Sequence, residues 1–143
     1  MNADALADKI ARGMLAAEGT GPAWRIEIEE AREGYARIRM TLTAAMLNGH
    51  GIGHGGMIFA LADTAFAYAC NSRNVTSVAA QASVVFLDAA REGEVLVAEA
   101  REVAVAGRSG VTHVSVRTAD GRAIAEFQGY SRTLGGPVVE IEE

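Results

Sequence analysis

The sequence predicts an α+β fold, a curved antiparallel sheet wrapped around one long central helix. Three observations predict it. Six segments alternate apolar with polar residues or are rich in Val and Ala, as strands do. Short Gly-containing turns join most of these segments to the next, which implies antiparallel neighbours. One run, Met57 to Cys70, is apolar nearly all round apart from Asp63, so as a helix it must be buried against a sheet face.

The elements follow in order. Residues 3–17 have helical composition, with Leu6, Ile10 and Leu15 able to form one stripe; Glu18-Gly-Thr-Gly-Pro22 stops them. Trp24, Ile26 and Ile28 alternate with charged residues as a half-buried strand. Arg32-Glu-Gly34 turns the chain into a cleaner strand carrying Ala36, Ile38, Met40 and Leu42 on one face. A glycine-rich loop then opens the central helix, expected over about 56–72. Four strands follow, over 76–87, 94–105, 111–118 and 123–133, with turns at Arg91-Glu-Gly93, Ala106 to Gly110 and Ala119 to Arg122. The expectation is one domain over 1–143, with a short frayed tail at 137–143. A helix apolar on every side keeps one face uncovered by its own sheet, so at least a dimer is expected.

Composition narrows the function classes. The chain has 143 residues, half of them apolar and 22% charged, a globular balance. Its formal charge of -5 is spread along the sequence, which argues against a nucleic-acid partner. The single cysteine, Cys70, excludes an internal disulfide. Residues 3–17 interleave charges and do not read as a signal peptide, and the apolar run is too short for a membrane span. The expected location is cytoplasmic, with no membrane partner.

Chemistry concentrates at Asn48-Gly-His-Gly-Ile-Gly-His-Gly-Gly56 and the helix it opens. Gly51 to Gly56 formally fits a dinucleotide loop, but no buried strand precedes it and no acidic residue follows at the required spacing. His50, His54, Asp63 and His113 are conceivable metal ligands, although the His pair sits in a loop and lacks a helical metal motif. A purely structural turn with a capping His54 is a third reading. The fourth is acyl chemistry. Gly55 and Gly56 leave the first-turn amides open to a substrate carbonyl, where the helix N-terminus favours developing negative charge. Asp63, isolated among Phe59, Ala60, Phe66 and Ala67, is the candidate base. It lies roughly 12 Å along the axis from Gly55, too far to serve the same carbonyl. The Asp63 of a neighbouring subunit's antiparallel helix is within reach, which makes a composite dimer site the expectation.

At these residues a family becomes visible. Asn48-Gly-His50, His54-Gly-Gly56 and the run from Phe59 through Asp63 to Ser72 resemble the hotdog-fold acyl-CoA thioesterases of the phenylacetic-acid-degradation (PaaI) type. The resemblance implies a hotdog fold, a homotetramer built from homodimers, and hydrolysis of an aryl-acetyl-CoA (phenylacetyl- or hydroxyphenylacetyl-CoA) or medium-chain acyl-CoA, without cofactor or metal. It implies Asp63 as general base or nucleophile and the Gly55 amide as the group that polarises the thioester. Asn48 and His54 match the family's polar pair beside the thioester and attacking water. Gly56 and Thr64 match substrate-binding positions, and Arg108 and Ser109 lie in a turn resembling one near the CoA nucleotide. Where relatives often carry Phe-Leu-Arg-Pro, this chain has Phe86-Leu-Asp-Ala89, which removes a cation from that region. The rival readings are a hotdog hydratase or dehydratase and a non-catalytic acyl-CoA-binding module.

Overall fold

A computed structural model describes residues 1–142; Glu143, the end of the acidic tail, lies outside them. Helix α1 spans Ala3–Ala17, with Asn2 as its cap, its Oδ1 accepting from the Ala5 N–H at 2.8 Å. A short helix α2, Thr20–Trp24, follows. Strands β1 (Glu27–Arg32) and β2 (Tyr35–Thr41) form a hairpin. Helix α3, Gly55–Cys70, then leads to β3 (Ser77–Phe86), β4 (Val95–Ala106), β5 (Ser109–Thr118) and β6 (Ala123–Thr133).

The strands make one antiparallel sheet in the order β1-β2-β4-β5-β6-β3. This corrects the expected architecture. The sheet is open rather than curled, with β1 and β3 as its two edges. No single long helix dominates either, because α1 has 15 residues and α3 has 16. The physical reason lies in α1, whose Ala7, Ile10 and Ala11 are buried. It packs chiefly on β1 and also touches α3, so it covers part of that helix and the sheet need not wrap around it. The result is hotdog-like.

The strand expected to begin at Trp24 starts at Glu27 instead. Trp24 ends α2, and Arg25 adopts a left-handed conformation, φ 52°, that redirects the chain before Ile26 enters the core. Period-two alternation cannot reveal such a turn.

The core lies between the helices and one face of the sheet. From α3 it takes Ile58, Leu61, Ala65 and Phe66; from the strands it takes Ile38, Met40, Leu96, Val114, Val116 and Phe127. Gly129 of β6 faces Phe66 so closely that a Cβ there would lie 2.8 Å from the ring. Gly129→Ala is therefore expected to destabilise the fold by about 1–3 kcal/mol through overpacking, read as a lower denaturation midpoint. Among the described residues, no helix is long and apolar enough to cross a membrane.

Candidate active site

The loop from Leu47 to His54 is held from within. The Asn48 N–H donates to the Ile52 carbonyl, and Asn48 Oδ1 accepts from the His50 and Ile52 amides at 2.9 and 3.3 Å. That arrangement consumes the side-chain carbonyl of Asn48 and leaves its NH₂ without a partner among the described residues. The loop ends as His54 caps α3: Nδ1 accepts from the Gly56 N–H at 2.8 Å, and the His54 carbonyl accepts from Met57 and Ile58.

The cap sorts the first-turn amides. Gly56 is occupied by the His54 ring, and a Cβ on Gly56 would sit 3.0 Å from Nδ1. The Gly55 N–H has no partner among the described residues. One free donor remains at the positive end of a 16-residue helix. It opens on a groove of about 390 Å³ lined by Asn48, Gly55, Ile58, Phe86, Leu87 and Asp88, with Ala89 and Ala90 beside them. The groove is mostly apolar, with Asp88 in its wall.

Asp63 is outside that groove. It is half-buried on α3, two turns past Gly55, and makes no hydrogen bond or ion pair among the described residues. Burial raises its pKa above the usual carboxylate range. Thr64 spends its hydroxyl on the Ala60 carbonyl, 2.8 Å away. Cys70 is buried, and burial pushes its thiol up to about 12, so it is no nucleophile.

The sheet is antiparallel throughout, so the glycine loop is not part of a βαβ dinucleotide unit. Among the described residues, no three His, Cys, Asp or Glu side chains gather as a metal site. His113 lies elsewhere, on β5, with Nε2 3.3 Å from Glu126.

The remaining expected site residues are distant. Arg108 is exposed in the β4–β5 turn, and Ser109 borders a second cavity at the C-terminal end of α3. The structure thus brings Asn48, His54, Gly55 and Gly56 together, keeps Asp63 apart in mid-helix, and leaves Arg108 and Ser109 in a third region. Sequence reasoning overlooked Phe86, whose ring lies against Gly55, and Glu102, a nearly buried acid. Glu102 had a signal: it continues the inward-facing series Leu96, Ala98, Ala100 of β4.

Comparison with known proteins shows the family. A family model described as the thioesterase superfamily matches residues 50–125. The acyl-coenzyme A thioesterase PaaI of Escherichia coli is 38% identical over 128 residues, covering 90% of this chain and 91% of that protein. The solved structure of the E. coli PaaI protein from the phenylacetic acid degradation operon has a TM-score of 0.92 at 37% identity, covering 95% of this chain and 99% of that one. A hypothetical thioesterase from Streptococcus pneumoniae, solved with coenzyme A, has a TM-score of 0.76 at 25% identity, covering 78% and 90%. The chain belongs to the thioesterase superfamily, as a hotdog-fold enzyme related to the PaaI-type acyl-CoA thioesterases.

Proposed function

We propose that the chain hydrolyses the thioester of an aryl-acetyl-CoA or medium-chain acyl-CoA at a site shared by two copies. The observation that carries this reading is the sorting of amides at α3: His54 takes Gly56 and leaves Gly55 as the one free donor. A thioester oxygen on that donor gains stabilisation as it becomes an oxyanion. Asp63, as base, takes a proton from water as the water oxygen bonds to the carbonyl carbon. The C–S bond then breaks, and the proton passes to the departing thiolate. As nucleophile, Asp63 would instead form an acyl anhydride that water opens; a single turnover in ¹⁸O-water labels the protein only in that case. The unpartnered Asn48 NH₂ is placed to hold the substrate or water, and His54 braces the loop.

Asp63 and Gly55 of one helix cannot meet at one carbonyl, since eight residues separate them by about 12 Å. The partner is a second copy, joined through β3. That edge strand is unpaired on one side and exposes Val78, Val85 and Phe86. A two-fold axis at its middle sets the Ser77 end of one β3 against the Phe86 end of the other and runs the two α3 helices antiparallel. Each glycine end then faces the other copy's Asp63. The family resemblance implies that such dimers pair further into tetramers.

The expected result is release of free CoA thiol from phenylacetyl-CoA, a hydroxyphenylacetyl-CoA or a straight medium-chain acyl-CoA, measured side by side with a thiol reagent. Binding of these esters without release of thiol would replace the enzyme reading by the binding-module reading.

A further inference from the structure

One wall of the glycine groove is held from outside the groove. Asp88, Ala89 and Ala90 border the groove and belong to the loop that carries the chain from β3 to β4. A loop has no strand ladder to fix it, so its shape depends on the groups that hold it. Arg122, in the turn between β5 and β6, holds this one and does not itself border the groove. Its Nε lies 3.1 Å from Asp88 Oδ2. Its Nη2 donates to the Ala89 carbonyl at 3.0 Å and to Glu94 Oε1 at 2.8 Å. One planar guanidinium thus clasps the loop from Asp88, near its start, to Glu94 at its end.

Arg122 starts from a rigid base. Thr118 Oγ1 accepts from the Arg122 N–H at 2.9 Å, and the Thr118 N–H donates to the Arg122 carbonyl at 2.9 Å. The Thr118 hydroxyl in turn donates to Asp120. Gly121 takes the positive φ, 99°, that lets so tight a turn close.

The clasp reaches the opposite wall through one hydrogen bond. The Ala90 carbonyl accepts from the Gly53 N–H at 2.7 Å, and Gly53 borders the groove two residues before Gly55. The glycine loop does not depend on that bond alone. The His54 N–H donates to the Met46 carbonyl at 2.8 Å, and Asn48 braces the loop from within. Loosening the clasp therefore shifts the wall from Asp88 to Ala90 and leaves the Gly55 amide in place.

The energetics separate position from stability. The Arg122, Asp88 and Glu94 side chains are 41%, 53% and 24% exposed, and ion pairs this open add little to global stability. Their effect is local. Without the guanidinium, the Asp88 carboxylate and the Ala89 carbonyl turn to water and the wall is free to widen.

We propose, resting on the catalytic reading above, that Arg122 is a positioning residue for the substrate. It sets the width of the groove beside Gly55, and so how tightly the thioester is held, without touching it.

The test is a split between KM and kcat, measured with the phenylacetyl and octanoyl thioesters of CoA and of pantetheine. Arg122→Met keeps an apolar stem and removes all three contacts. Its KM is expected to rise about tenfold, with kcat within about twofold of wild type. Its melting temperature should stay within about 2 °C of wild type. Arg122→Lys keeps the charge but cannot fork onto three acceptors, so its KM should lie between the two. The rise in KM should be the same for CoA and pantetheine esters, because the groove wall, and not a phosphate, is what Arg122 acts on. An unchanged KM in Arg122→Met overturns the proposal. So does a loss that falls on kcat, which is what a smaller folded fraction or a displaced Gly55 amide gives. A rise confined to the CoA esters overturns it too, since Arg122 would then bind a phosphate directly. If the wild type hydrolyses no thioester at all, the catalytic reading fails instead. The dissociation constants of phenylacetyl-CoA from wild type and Arg122→Met then decide, and equal values overturn this proposal as well.

Discussion

Asp63→Asn is expected to lower kcat by about 10²–10⁴-fold, the usual contribution of a general base, while raising thermal stability at neutral pH. The two effects share one cause. Asp63 is held half-buried in an apolar helix with no hydrogen-bond or ion-pair partner among the described residues, and burial raises its pKa. The native state therefore binds this proton more tightly than the unfolded chain does. The stability gained from the neutral carboxyl is complete below the ordinary Asp value, about 3.9, and is lost as pH rises through the raised native value. At pH 7 the ionised group burdens the fold, and the neutral amide relieves it. The melting temperature of Asp63→Asn should exceed that of wild type at pH 7, and the gap should close below about pH 4. Activity has the opposite dependence, because the base must be ionised. The acid limb of kcat/KM should have its midpoint above the ordinary carboxylate range and should vanish in the variant. A folded Asp63→Asn enzyme with full turnover would remove Asp63 from the chemistry. A less stable one would show that the carboxylate anchors structure.

The parts that were legible in the sequence, and those that were not, divide along physical lines. Alternation located β2, because Ala36, Ile38 and Met40 each point to the core and a half-buried strand leaves that period in its composition. The same rule failed at Trp24, where a left-handed Arg25 breaks a pattern that composition alone continues. The sheet's curvature around one helix was misread for a related reason. Alternation reports which face of a strand is buried but not how far the sheet curls, and the packing of α1 on β1 and α3 was not weighed. The glycine loop was visible because glycine and histidine at a helix start have a specific mechanical use. Which amide stays free was not visible, since it depends on the His54 ring turning back onto Gly56. Glu102 escaped notice because one acid in a strand reads as a solvated side chain until the strand's bulge and inward face are known.

Gly55→Pro should remove the catalytic amide with little damage to the helix, and should lower kcat by about 10²–10³-fold. Proline is favoured at the first helical position, where its missing N–H has no helical partner. It also requires the preceding residue to be extended, and His54 already is, at φ -64° and ψ 131°. The added ring atoms press on Phe86, whose Cζ would lie 3.1 Å from a Cβ on residue 55 and which sits at the proposed β3 seam, so the steric cost needs its own control. Gly55→Ala carries the same Cβ but keeps the N–H, so it measures the steric part alone and should lose much less. Equal losses in the two variants would make the amide irrelevant. Together with Asp63→Asn, the proline variant also tests where the site lies. A mixed dimer of the two has one site with both Gly55 and Asp63 intact and one site with neither. Random re-association of equal amounts should then recover about a quarter of wild-type activity from two inactive parents. If each chain held a complete site, mixing would recover nothing, because every chain would still lack one of the two groups.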